Sequence, residues 1–184
     1  MIPEVLKETE ERMHKGLDSL RKEFGTIRAG RANPSVLEKI TVDYYGTPTP
    51  VNQLANISVP EPRLLLIQPW DRTSLSAIEK AILKSDLGFN PSNDGNIIRI
   101  IIPQLTAERR IELVKGVKKK SEEARVVIRN IRRDTNDHLK KMEKEHASED
   151  DIKRAQEDVQ KMTDKFIKEI DHVTETKEKE ITEV

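Results

Sequence analysis

Four arginines within nine residues, Arg125, Arg129, Arg132 and Arg133, are the side chains whose type and spacing suit a recognition chemistry. In ARVVIRNIRRDTN, Arg125, Arg129 and Arg132 step by four and three and Asn136 continues the series, so a helix places them on one stripe, with Arg133 beside it. A guanidinium offers a planar fork of donors that matches phosphate oxygens, which a lysine point charge does not. The competing reading is a solvated helix face whose charges pair at i,i+4. Arg28 and Arg31, in IRAGRANP, add two cations, and either phosphate contact or compensation of a helix C-terminal dipole explains them equally well.

Nothing comparable points to catalysis. His14, His138, His146 and His172 all fall in helical stretches and none belongs to an HExxH pattern. No glycine-rich phosphate loop occurs, and the carboxylates are interspersed with lysines as on solvated helices. The chain has no cysteine, which removes disulfides and thiolate metal sites and suits a reducing compartment. No catalytic residue, metal site or cofactor is expected. The N-terminus lacks a secretory profile and no stretch approaches the ~18 apolar residues of a membrane span, so a soluble, cytoplasmic monomer is expected.

The arginines need a rod to carry them. From Thr106 to about His146 there is no proline and one glycine, and Ile111, Val114, Val117, Ser121, Ala124, Ile128, Ile131, Thr135 and Met142 recur mostly by threes and fours. Roughly 40 residues at ~1.5 Å each make a helix on the order of 60 Å long. Such a helix needs partners, because its stability comes mainly from packing one face. Residues 1 to about 28 supply one, with Met13, Leu17, Leu20, Phe24 and Ile27 as its seam. Ser148–Val184 supplies another through Ile152, Ala155, Val159, Met162, Phe166, Ile170 and Val173, with Ser148-Glu149-Asp150-Asp151 as a capping-box-like start. The zero net charge conceals an asymmetry: residues 106–147 hold 13 Lys+Arg against 8 Asp+Glu, and residues 148–184 hold 7 against 12.

Between the helices the texture changes. Eight of the nine prolines lie from Pro34 to Pro103, among short β-type runs at Ile40–Tyr45, Asn56–Val59, Leu64–Gln68 and Ile97–Ile102. A helix over Thr73–Asp86 carries Leu75, Ile78, Ile82 and Leu83 on one face, capped by Asp71 or Thr73. Asn90–Gly95 reads as a loop. The fold class is therefore α+β: an elongated antiparallel three-helix bundle of residues 1–29 and 106–184, with a small β/α/β domain of residues 30–105 inserted. Two slender crossings, at Gly30–Arg31 and at Pro103, Gln104 and Leu105, read as a hinge. If the first helix ends flush with the start of the rod, its N-terminus lies opposite roughly residue 133, and Arg129, Arg132 and Arg133 sit about 40 Å from the hinge. A basic strip of that length fits an extended polyanion better than a small substrate.

At these residues the chain resembles the bacterial ribosome recycling factors over essentially its full length. The resemblance rests on IRAGRANP (27–34), VDYYGTPTP (42–50), EKAI (79–82), SDLGFNP (85–91), ERR (108–110) and ARVVIRNIRRD (124–134). It implies an L-shaped, tRNA-like protein that binds the large subunit of the post-termination ribosome. With elongation factor G, and GTP hydrolysis by that factor, such a protein is expected to split the subunits and free the ribosome for reuse. It also implies that Arg129, Arg132 and Arg133 of the bundle meet large-subunit rRNA, with Arg125 beside them and Arg28 and Arg31 near the bend.

Overall fold

The structure, a computed structural model, describes residues 1–27 and 29–183. In chain order its helices and strands are α1 (Ile2–Gly25), β1 (Thr41–Tyr44), β2 (Thr47–Pro50), β3 (Ala55–Glu61), β4 (Leu64–Pro69), α2 (Leu75–Lys84), β5 (Ser92–Asn93), β6 (Ile98–Ile101), α3 (Ala107–Lys144) and α4 (Glu149–Thr182). They form two compact units, one of Met1–Arg28 with Thr106–Val184 and one of Ala29–Leu105.

The first unit is a bundle of α1, α3 and α4. Met13 and Leu17 of α1, Ile128 and Leu139 of α3, and Val159 and Ile170 of α4 are fully enclosed. Each such side chain contributes roughly 1.5–3 kcal/mol of transfer free energy. Three seam layers hold hydroxyls instead. Thr9 Oγ1 meets Thr135 Oγ1 at 2.7 Å, Ser121 Oγ meets Thr174 Oγ1 at 2.5 Å, and Thr163 Oγ1 donates to the Val159 carbonyl at 2.8 Å. The apolar pattern of α4 accordingly slips in two places: Thr163 and Thr174 are buried where Met162 and Val173 are expected, and those two are only half-buried. Leu139 is a core residue the stripe omits, and Ile111, expected on the stripe, is exposed.

The register of α1 also differs from the flush arrangement. Glu23 pairs with Lys120 at 3.4 Å and Arg12 with Asp134 at 3.4 Å, so α1 is shifted along α3. Its first turns, through Ile2, Val5 and Leu6, reach Leu139, Met142, Ile152 and Ala155 at the end where α3 turns into α4. The cause is that α1 stops at Gly25 and the first turns of α3 run on beyond it. At the turn, His146 takes φ +80°, and the His146 and Ala147 amides donate to the Glu143 and Met142 carbonyls at 3.3 and 3.0 Å. This is the double-bonded C-terminal cap usually built on glycine. Thr106 caps α3 by accepting from the Arg109 amide at 3.1 Å, whereas Ser148 starts α4 without a side-chain cap.

The second unit sets a four-stranded antiparallel sheet, ordered β3-β4-β6-β5, beside the β1–β2 hairpin. Leu65 and Ile67 of β4 and Ile98 and Ile100 of β6 point to one face and share a core with Ile78 and Ile82 of α2, and with Leu37, Val42 and Val51. Strand β2 is absent from the expected runs, since its sequence, TPTP, has two prolines in four residues; it is an edge strand, where proline is tolerated. Likewise Ser92–Asn93, expected as loop, pairs with β6. Leu83, expected on the inner face of α2, is 60% exposed. Asp71 is the residue that caps the turn into α2, accepting from the Thr73 amide at 3.0 Å. The ends of this unit lie together: the Ala32 amide donates to the Pro62 carbonyl at 2.7 Å and the Ile102 amide to the Arg63 carbonyl at 2.8 Å. Gly30 has φ +73°, and a Cβ there would stand 3.0 Å from Leu105 Cγ.

Candidate nucleic-acid interface

The middle of α3 sets the arginines against α4 in a graded series. Arg125 is largely enclosed, its side chain 22% exposed. Its Nε and Nη2 donate to Asp171 Oδ1 at 2.9 and 2.7 Å, and Nη1 to Glu122 Oε2 at 3.3 Å. Partial burial disfavours the charged form of Arg125, but the hydrogen bonds and charges of Asp171 and then Glu122 outweigh it and the net pKa shift is upward. Arg129 Nη1 donates to the other oxygen of Glu122 at 3.2 Å, with both side chains about half exposed. Hydrogen bonds from Arg129 and then from Arg125 hold the Glu122 carboxyl below its usual range.

Among the described residues Arg132 meets no carboxylate. Its Nη1 donates to the Gln160 side-chain carbonyl at 2.9 Å, and Gln160 Nε2 donates to Asp164 Oδ1 at 2.9 Å. Arg132 Nε and Asn136 Oδ1 are buried without a hydrogen-bond partner among the described residues. Arg133 is exposed and has no partner among the described residues. Asp134, next in sequence, is turned to Arg12 of α1. The stripe thus runs from an arginine neutralised in place to one left open.

The groove beside Arg125 has a volume of about 440 Å³, and its carboxylates Glu122, Asp171, Glu175 and Glu178 outnumber the cations Lys118 and Arg125. That balance repels a polyanion. Among the described residues no cluster of histidines and carboxylates has the geometry for a metal ion, and no helix is long and apolar enough to cross a membrane. Arg31 is exposed on the second unit, while Arg28 lies outside the described residues. Sequence reasoning missed Gln160 and Asp164; their i,i+4 spacing is visible, but only the register between α3 and α4 brings them to Arg132.

The profile of the ribosome recycling factor family matches residues 20–182. This chain belongs to the ribosome recycling factor family. Its relatives include the ribosome-recycling factor of Desulfitobacterium hafniense (strain Y51), 71% identical over 185 residues, and that of Heliobacterium modesticaldum (strain ATCC 51547 / Ice1), 65% identical over 185, each alignment covering 100% of both chains. A solution structure of the ribosome recycling factor superposes with a TM-score of 0.78 at 45% identity, covering 100% of this chain and 98% of that one. A second match, with TM-score 0.64, 50% identity and 98% coverage of both chains, is described as models for the T. thermophilus ribosome recycling factor and the E. coli elongation factor G bound to the E. coli post-termination complex. A ribosome recycling factor is a translation factor and not an enzyme.

Proposed function

We propose that this chain binds the large subunit of the post-termination ribosome through α3 and, with elongation factor G and GTP hydrolysis by that factor, promotes dissociation of the subunits and release from mRNA. The observation that carries the reading is the open end of the arginine stripe. Arg133 is exposed and has no partner among the described residues, and Arg132 is held by a neutral amide, so both charges remain available to a phosphate backbone. Arg129 adds to them once Glu122 yields, and Arg125 acts mainly as a fixed charge because its donors are spent on Asp171 and Glu122. Arg28 and Arg31 are separate contacts on the same rRNA. The 50%-identical relative assembled with an elongation factor G on a post-termination complex supports the choice of partners.

The hinge is part of the proposal. Ala32 and Ile102 are pinned to the β3–β4 turn, so bending falls outside them, at Gly30, Arg31, Pro103, Gln104 and Leu105. The chain works as a monomer in the cytoplasm, where the ribosomes are, and needs no cofactor of its own. Cosedimentation with isolated large subunits over a salt series tests the reading. Affinity falls with salt, and Arg132→Ala lowers it while the circular dichroism spectrum stays unchanged. Binding that is indifferent to salt and to Arg132 refutes it.

A further inference from the structure

Gln160 is held at both ends of its amide. Asp164 can only accept, so the amide nitrogen of Gln160 faces it, at 2.9 Å. The carbonyl oxygen is thereby turned to Arg132, whose guanidinium can only donate, also at 2.9 Å. The opposite orientation of the amide would set donor against donor and acceptor against acceptor. Arg132 Nε is buried without a partner and Nη1 is taken by Gln160, which leaves Nη2 as the one nitrogen of this guanidinium that is neither buried nor bonded among the described residues.

The contrast with Arg129 shows what an amide does here that a carboxylate does not. Glu122 holds Arg129 but cancels its charge, whereas Gln160 holds Arg132 and leaves the charge intact. Asp164 stands behind the amide and forms no ion pair with Arg132 among the described residues. We propose that Gln160, oriented by Asp164, is a positioning residue of the rRNA-binding face: it fixes Arg132 with Nη2 presented to a phosphate, so that binding does not have to order that side chain. This rests on the reading of α3 as that face.

Gln160 is exposed, so replacing it opens no cavity in the core. The test measures the Kd for isolated large subunits, and its salt dependence, for Gln160→Met and Gln160→Glu in the wild-type and Arg132→Ala backgrounds. Gln160→Met keeps the bulk and removes both hydrogen bonds. It weakens binding about 2- to 10-fold, as expected for leaving one long side chain unordered, with the salt slope unchanged. Gln160→Glu holds Arg132 but neutralises it, lowering the slope by ~0.7–0.9. In the Arg132→Ala background Gln160→Met has no further effect. A Gln160→Met effect of equal size in both backgrounds, or none in the wild type while Arg132→Ala weakens binding, overturns the positioning role and leaves the rRNA face standing. An Arg132→Ala chain that binds like the wild type overturns both.

Discussion

Arg125 and Arg133 are two turns of one helix apart and carry the same charge, yet they should behave oppositely when truncated to alanine. Arg133 has no partner among the described residues, so on the proposed reading its whole contribution is available to rRNA. A single charge-assisted contact at a solvated surface amounts to roughly 1–2 kcal/mol, or about 5- to 30-fold in Kd. Arg133→Ala therefore weakens large-subunit binding by that factor, lowers the salt slope by ~0.7–0.9, and leaves the melting temperature within about 1 °C. Arg125 has committed Nε, Nη1 and Nη2 to Asp171 and Glu122. Because both carboxylates are more than half exposed, solvent screening keeps the pairing with Asp171 to about 1 kcal/mol or less. Arg125→Ala therefore lowers the melting temperature by about 2–4 °C and changes Kd by less than about 3-fold. Filter binding or cosedimentation gives Kd at several salt concentrations, and a circular dichroism melt gives stability on the same samples. If Arg125→Ala costs more affinity than Arg133→Ala, or if Arg133→Ala moves neither Kd nor slope, the graded availability of the stripe is not what governs binding.

Other expectations follow from the packing. Gly30→Ala places a Cβ 3.0 Å from Leu105 Cγ at φ +73°, and should destabilise the 29–105 unit by about 1–2 kcal/mol, read from Trp70 fluorescence in urea because the chain has one tryptophan and it lies in that unit. Gly16→Ala meets Ile128 and Val127 at an ordinary 3.6 Å and should stabilise the bundle by about 0.5–1 kcal/mol in the helical circular dichroism signal. Ser121→Ala removes the hydroxyl pair with Thr174, which keeps only its bond to the Ile170 carbonyl, and costs about 1 kcal/mol, whereas Ser121→Ala with Thr174→Val comes within about 0.5 kcal/mol of the parent; an additive double variant would contradict the pairing. The Asp71 carboxyl is held below its usual 3.8 by the Thr73 hydroxyl and then the Thr73 amide. A depressed folded-state value means stability that is present above about pH 4 and lost as pH falls through the folded-state value, so Asp71→Asn should flatten the acid limb of the Trp70 transition.

Periodicity carried the bundle because long helices repeat their signal many times. Met13, Leu17 and Leu20 of α1 and Ile152, Val159 and Phe166 of α4 are buried where the spacing predicts. The resemblance over IRAGRANP and ARVVIRNIRRD carried the family. The pattern failed where the core is not apolar: Thr9 and Thr174 look like surface residues until a partner hydroxyl faces them across the seam, and Thr163 until its hydroxyl turns back onto the Val159 carbonyl of its own helix. It failed again at β2, where two prolines in four residues argue against a strand unless the strand is known to be an edge. The arginine stripe was legible as a set of charges, but not as a gradient. Which arginine is spent and which is open depends on Asp171, Gln160 and Arg12, all on other helices, and a stagger between helices leaves no mark on the spacing within each one.

The hydroxyl layers fix how far one helix can slide on another. A seam lined only with leucine and isoleucine looks much the same after a shift of one repeat, so helices joined by it can slip. Here a slip of α1 on α3 would break the Thr9–Thr135 contact, a slip of α4 on α3 the Ser121–Thr174 contact, and a slip of α3 against both neighbours the two together. The helices are keyed rather than merely glued, and a push applied at one end of the bundle emerges at the other instead of being lost to creep between them.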